Sequence, residues 1–150
     1  GEAPGADEDR MGEPFVGRSG RLLDQLFEEA GLDRGRVFIT NLVACRPPKN
    51  RNPRVGEIRA HAPWLEAQIR LVDPALIVTP GRVPLTYFIP GAKITQTRGQ
   101  VQEIERNGRS IPLLPLFHPS AAVRRRELLP ALQEDFARIG PLLDRLGAAS

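Results

Sequence analysis

Apolar residues recur at helical spacing in three parts of the chain. In residues 19–31, 56–72 and 127–146 they return every three to four positions, with polar residues between them. This period is typical of amphipathic helices that pack one face against a core. We therefore predict helices over these three ranges.

Two short runs are continuously apolar and rich in β-branched residues. They are VFITNLV (37–43) and ALIVTPG (75–81), and both patterns predict strands buried on both faces. Residues 82–91 predict a short helix and a loop. Residues 94–119 predict extended segments, with a hairpin turn at RNGR. Strands that alternate with helices indicate one α/β domain over residues 1–150, with a parallel sheet in an α/β/α sandwich.

Composition narrows the functional class only slightly. The formal net charge is +3, and lysine occurs only at Lys49 and Lys93, so arginine carries most of the positive charge. Arginine suits phosphate binding, although a GC-rich genome would produce the same bias. The single cysteine excludes an internal disulfide, and no apolar run is long enough to span a membrane. We expect a cytoplasmic monomer without a membrane partner.

Three polar clusters fall at the ends of predicted strands or strand-like turns. They are GEAPG (1–5), Thr40–Asn41 and His118–Ser120. In parallel α/β sheets, ligands bind beyond the carboxyl ends of the strands, so these clusters predict one site. The GEAPG turn would ordinarily follow a strand. We therefore expect an upstream strand to be missing from this chain.

These clusters, together with their neighbours, resemble a known family. The matching segments are, in this order, GEAPGADED, PFVG, ITNLVACRPPKNR and HPS. They are similar to the corresponding segments of family 4 of the uracil-DNA glycosylase superfamily, the iron–sulfur branch. The resemblance covers residues 1 to about 140. It implies the α/β/α sandwich predicted above, and hydrolysis of the N-glycosidic bond of deoxyuridine in uracil-containing DNA, which starts base excision repair.

The resemblance implies a role for each cluster. His118 would donate to uracil O2 as negative charge develops there, and Asn41 would donate to O4 and accept from N3–H. Phe15 would stack on the flipped base. Alone, these residues would equally fit a surface histidine, a turn asparagine and an ordinary core phenylalanine. Ser120 would touch a phosphate.

The GEAPG loop would contact both the base and the sugar. Gly5 would allow close approach, and the backbone near Ala3 would meet O2, although the best-known branch has a water-positioning aspartate where this chain has Ala3. We expect Glu2 to order water or to stabilise the sugar cation, and Glu8 to exclude thymine. The alternative is that these acids, with Asp7 and Asp9, are solvated groups in a flexible loop or caps of a helix start.

A metal site is implied only in part. Family 4 holds a [4Fe–4S] cluster on four cysteines, and Cys45 matches one of them, while His61 stands where another would be. The upstream cysteine pair is missing, so we expect a possible cluster only in a full-length protein. The alternative is a buried free cysteine and a histidine on a helix surface.

Two basic segments are candidates for DNA contacts. Arg46, Lys49 and Arg51 lie on a proline-broken loop, while Arg124 and Arg125 follow the histidine. The small residues 121–123 stand where the family inserts a wedge into the duplex, which predicts a weak wedge. Solvated surface charge is the simpler interpretation of both segments.

Two other functional classes compete with the enzyme. One is a catalytically weak module of the same fold that binds uracil-containing or single-stranded DNA. The other is a small-molecule nucleotide hydrolase or a phosphate-binding α/β protein, which is disfavoured because GEAPG lacks the lysine of a phosphate-binding P-loop.

Overall fold

Three strands form a mixed sheet in this computed structural model, which describes residues 1–147. The order is β1-β3-β2, with β1 at Ile77–Pro80, β2 at Gln102–Arg106 and β3 at Arg109–Leu116. β1 runs parallel to β3, as predicted, whereas β2 is antiparallel to β3. The predicted hairpin turn is confirmed: Asn107 and Gly108, which connect β2 to β3, both have positive φ.

Helices account for most of the remaining regular structure. They are α1 (Ala6–Met11), α2 (Arg18–Glu29), α3 (Val55–Val72), α4 (Arg82–Phe88), α5 (Ile94–Thr97), α6 (Pro119–Arg124), α7 (Leu129–Ala137) and α8 (Ile139–Arg145). The predictions for 19–31, 56–72 and 82–91 are confirmed by α2, α3 and α4. None of the described helices is long and apolar enough to cross a membrane.

Two predictions of regular structure need correction. Residues 94–97 form the short helix α5 rather than an extended segment, and the predicted helix over 127–146 is divided into α7 and α8 at Arg138. Pro141 has no N–H to donate to the carbonyl of Ala137, so the helical ladder cannot continue through this point.

The sheet separates two apolar clusters, which confirms the α/β/α arrangement. Leu114 and Leu116 of β3 belong to a cluster with residues of α2, α6, α7 and α8. Ile111 and Leu113 belong to the cluster on the opposite face, with residues of α3 and α4. Side chains alternate between faces along a strand, so β3 supplies both halves of the core.

The predicted strand over 37–43 is wrong, although this segment lies between the same two clusters. Ile39 packs with the first cluster and Leu42 with the second, as in a strand. No strand is assigned there, however, and Phe38 is 56% exposed. A strand requires a hydrogen-bonded neighbour. Among the described residues, the backbone hydrogen bonds found at 40–43 reach only Gly1 and Glu2.

The GEAPG loop is nevertheless aligned with this segment. The Gly1 amino group donates to the Thr40 carbonyl at 2.9 Å, and the Leu42 amide donates to the Gly1 carbonyl at 3.0 Å. These two bonds are the pattern of a parallel pair between Gly1 and Asn41. They bring Glu2 and Asn41 to the same end of the sheet. The expected upstream strand stays a prediction.

Candidate active site

One pocket of about 430 Å³ lies at the carboxyl end of the parallel strands. It gathers most of the residues predicted for the site from distant parts of the chain. The predicted residues that line it are Glu2, Ala3, Gly5, Glu8, Phe15, Asn41, His118, Ser120 and Arg124. The convergence of the three polar clusters is therefore observed in the structure.

His118 is held by the start of the helix that follows it. It precedes Pro119, the first residue of α6, and its Nδ1 accepts a hydrogen bond from the Ser120 amide at 3.0 Å. The Ser120 hydroxyl oxygen also lies 2.8 Å from Nδ1. A nitrogen that accepts an N–H bond carries no proton, so the neutral ring has its proton on Nε2.

The electrostatics of the pocket keep His118 neutral. Burial is the main cause that lowers its pKa to about 4; the positive charge of Arg124 lowers it further, and Glu8 acts in the opposite direction. Above that pH the ring is an uncharged Nε2–H donor. Gly81, with φ +97°, makes room for this side chain, since a Cβ there would lie 3.3 Å from the His118 Cβ.

Phe15 and Asn41 lie beside the histidine. The rings of Phe15 and His118 are stacked, with centroids 5.7 Å apart and an angle of 27° between planes. Gly1 lies directly against both Phe15 and Asn41. A Cβ on Gly1 would lie 2.6 Å from Asn41 Oδ1 and 3.0 Å from the Phe15 ring. A flat apolar surface, an amide and an imidazole donor therefore share one small volume.

Glu2 is a half-buried carboxylate among positive charges. Burial raises its pKa above the ordinary value of 4.5, while Arg82, the Gly1 amino group and Arg124 act in the opposite direction. Its burial makes the negative charge costly, and the arginines on either side compensate for part of that cost.

Glu8 has a structural partner that its sequence context did not indicate. One carboxylate oxygen, Oε1, accepts from the amides of Val16 at 3.2 Å and Gly17 at 3.1 Å. The side chain therefore lines the pocket and also ties α1 to the turn that carries Phe15.

The predicted DNA-binding residues do not form one group. Arg124 lines the pocket, but Arg125 pairs with Glu127 on the surface at 3.0 Å. Arg51 forms a 2.6 Å ion pair with Glu57 and lowers the pKa of that carboxyl to about 2. Its guanidinium is thus used at the start of α3.

The other two predicted residues of the basic loop lie outside the pocket. Arg46 donates to the Asn50 side chain at 2.7 Å, and Lys49 is exposed with φ +56°. Neither residue lines the pocket, whereas Asn50 and Asn52 of the same loop do.

Sequence reasoning missed several residues that line the pocket. They are Ser19, Asn50, Asn52, Gly81, Arg82 and Val83. Gly81 and Arg82 directly follow β1, so the rule that ligands bind at the carboxyl ends of strands would have found them. The two asparagines had no comparable signal, because polar residues in a loop ordinarily face solvent.

The two candidate metal ligands are neighbours, but they do not make a cluster site. His61 Nδ1 accepts from the amide of Ala44 at 3.2 Å, next to the exposed Cys45. No group of three or more His, Cys, Asp or Glu side chains suited to a metal occurs among residues 1–147. An iron–sulfur cluster takes four ligands, preferably thiolates, so the described residues do not fit it.

Comparison with known proteins identifies related sequences over nearly the whole chain. The profile of the uracil DNA glycosylase superfamily matches residues 1–139. A type-4 uracil-DNA glycosylase of Sulfurisphaera tokodaii is 43% identical over 148 residues, which cover 95% of this chain and 67% of the relative. Type-4 enzymes of Archaeoglobus fulgidus and Thermotoga maritima are 38% and 40% identical, over 95% and 98% of this chain and 74% and 77% of the relatives.

Proposed function

Because the chain belongs to the uracil DNA glycosylase superfamily, we propose that it is a uracil-DNA glycosylase that hydrolyses the N-glycosidic bond of deoxyuridine in DNA. The observation that carries this proposal is a neutral histidine donor, an amide and an aromatic face in one pocket. Removal of uracil is the first step of base excision repair.

His118 acts on the leaving group. When the glycosidic bond breaks, uracil departs as an anion with negative charge on O2. The Nε2–H of the neutral ring donates to that oxygen, and this bond strengthens as the charge develops. Because the ring is already oriented by Ser120, no reorganisation is needed at the moment of bond cleavage.

Asn41 reads the base. Its amide donates to O4 of uracil and accepts from N3–H, whereas cytosine presents a donor at position 4 and an unprotonated acceptor at N3. A buried amide that is left with two mismatched partners strongly disfavours the wrong base. The pairing of Gly1 with Asn41 holds this side chain at the pocket.

Glu2 acts on the sugar. The bond breaks with positive charge on the deoxyribose, and an ionised Glu2 stabilises that charge or orders the attacking water. Arg82 and Arg124 help to keep the carboxylate ionised despite its burial. This role replaces the aspartate whose position is occupied by Ala3.

The remaining residues receive the flipped nucleotide. Phe15 stacks on the uracil ring, and Glu8 lies where a 5-methyl group would enter, so that thymine is excluded. Gly5 and Ala3 allow the backbone to approach the base. Ser120 and Arg124 contact the flanking phosphates, while Arg46, Lys49 and Arg125 add electrostatic attraction farther out.

A [4Fe–4S] cluster belongs to this proposal only for a longer protein. Cys45 and His61 supply two donors, and a cluster needs four. Its role would be structural, and no catalytic step depends on it. A visible absorption band in purified protein, lost on treatment with an iron chelator, tests for it.

The proposal is tested with a single-stranded oligonucleotide that contains one deoxyuridine. The protein is incubated with it, abasic sites are cleaved with alkali, and strand scission is measured. Oligonucleotides with cytosine or thymine at the same position are the controls. Scission at uracil alone supports the proposal, whereas tight binding of the uracil oligonucleotide without scission would support the binding module.

A further inference from the structure

The turn that carries Phe15 has an unfavourable backbone conformation. Phe15 has φ +54°, in the left-handed region that a bulky L-residue rarely adopts. Such conformations persist where surrounding contacts impose them, and they concentrate at functional sites. The contacts that impose this one are therefore candidates for a functional role.

Hydrogen bonds hold this turn from two directions. On one side, Glu8 accepts from the amides of Val16 and Gly17. On the other, Nη2 of Arg34 donates to the carbonyls of Pro14 at 3.1 Å and Phe15 at 3.4 Å.

Gly20 of α2 completes the packing of the turn. A Cβ at Gly20 would lie 1.9 Å from the Phe15 carbonyl oxygen, so this carbonyl rests directly on the helix backbone. The Phe15 carbonyl thus lies between the helix and the Arg34 guanidinium.

Arg34 is itself fixed by a second interaction. Its Nη1 donates to the carboxylate of Asp24 on α2, and Arg34 does not line the pocket. The planar guanidinium can bond a carboxylate and two carbonyls at once, which a lysine ammonium does less well. The Arg34 guanidinium therefore connects the surface of α2 to the backbone of the Phe15 turn.

We propose that Arg34 is a positioning residue for base recognition: anchored by Asp24, it holds the Phe15 turn in its left-handed conformation so that the ring lies against the flipped base. Without the hydrogen bonds from Arg34, φ of Phe15 relaxes toward negative values. This change redirects the Cα–Cβ bond and moves the ring away from His118. The proposal rests on the proposed function, because the partner of the ring is the uracil base.

The test is a double-mutant cycle between Arg34→Ala and Phe15→Ala. For each variant, kcat/KM on the deoxyuridine oligonucleotide, the inhibition constant of free uracil, and the affinity for the same oligonucleotide without uracil are measured. Arg34→Lys keeps the positive charge but weakens the hydrogen bonds to the Asp24 carboxylate and the two carbonyls. Arg21→Ala removes an exposed arginine from the helix of Asp24 and is the matched control.

We expect Arg34→Ala to lower kcat/KM by about tenfold and to weaken inhibition by free uracil to a similar extent. In the Phe15→Ala background, the same change should cost less than about twofold, because the two residues act as one unit. Arg34→Lys should fall between wild type and Arg34→Ala. Affinity for the oligonucleotide without uracil, and all properties of Arg21→Ala, should stay within about twofold of wild type.

The proposal would be overturned if Arg34→Ala and Phe15→Ala lowered kcat/KM independently of each other. It would also be overturned if Arg34→Ala weakened binding of the oligonucleotide without uracil as much as it weakened inhibition by free uracil. If Arg34→Ala no longer melts cooperatively, Asp24→Ala replaces it in the same cycle, since it removes the acceptor that anchors the guanidinium and keeps Arg34 itself. A wild type that does not excise uracil would overturn the proposed function and this proposal with it. Excision by the wild type with additive effects would overturn this proposal alone.

Discussion

Acidification should leave the proposed His118 donor neutral far below the ordinary pKa of histidine. Burial and nearby positive charge lower the pKa of His118 from 6.5 to about 4. The proposed donor is the neutral ring, with Nδ1 occupied by the Ser120 amide. The rate should therefore follow the neutral fraction of a group with this lowered pKa.

The size of the effect follows from the two pKa values. At about pH 5.5, an ordinary imidazole would be only about a tenth neutral, whereas a group with a pKa of about 4 would be almost entirely neutral. The Glu2→Gln variant, in which no carboxyl at position 2 titrates, should thus keep nearly its own full rate there, about tenfold more than an unperturbed histidine would allow. The rate should then fall as the pH drops through about 4.

The assay is single-turnover excision from the deoxyuridine oligonucleotide across this range of pH. In the proposed mechanism Glu2 is ionised, and burial raises the pKa of its carboxyl, so the wild type should lose rate at a higher pH than His118 alone would give. Glu2→Gln separates the two groups, because the acid limb that remains in this variant belongs to His118. In Glu2→Gln, a midpoint near 6.5, or a rate that rises on acidification, would refute the neutral-donor mechanism.

Folding must be followed in the same samples. Since the pKa of His118 is lower in the folded protein than in the unfolded chain, the unfolded chain binds the extra proton first. This contribution to stability is complete above about pH 6.5 and is lost as the pH falls toward 4, by at most about 3 kcal/mol. Circular dichroism at each pH distinguishes unfolding from protonation of the native site.

Three substitutions test the assigned roles. His118→Ala should lower kcat by about 10²–10³ with little change in melting temperature, and a loss below about tenfold would remove His118 from the mechanism. Asn41→Asp should reduce uracil excision at least about tenfold, because a carboxylate cannot donate to O4; unchanged excision would make Asn41 a turn residue only. Glu2→Gln should lower kcat while DNA affinity, measured by fluorescence anisotropy, stays the same, and equal activity would show that this carboxylate is dispensable.

The helices and the position of the site could be predicted because both depend on local signals. The apolar period of 19–31 and 56–72 appears directly in α2 and α3. The site followed from one rule about parallel sheets, since GEAPG, Asn41 and His118 lie at the same end of the sheet.

Other features depend on partners that no local pattern reveals. Arg51 resembled a phosphate ligand on its basic loop, but the nearby Glu57 neutralises it. Glu8 resembled a solvated acid or a base-discriminating group, and its bonds to the turn of Phe15 became visible only in three dimensions. Charge on a loop therefore indicates a possible DNA contact, while the ion pairs of the fold decide which charges are available.

The segment 37–43 shows why the site was easier to predict than the strand beside it. A β-branched apolar run reports that side chains can be buried on both faces, and Ile39 and Leu42 do pack on opposite sides of the sheet. A strand also needs a continuous series of backbone hydrogen bonds to a neighbouring strand. In the described part of the chain, the backbone hydrogen bonds of residues 40–43 reach only two residues, Gly1 and Glu2. Those same bonds align Asn41 with Gly1 at the edge of the pocket that Asn41 lines. The Asn41 side chain therefore lines the pocket although no strand forms over residues 37–43.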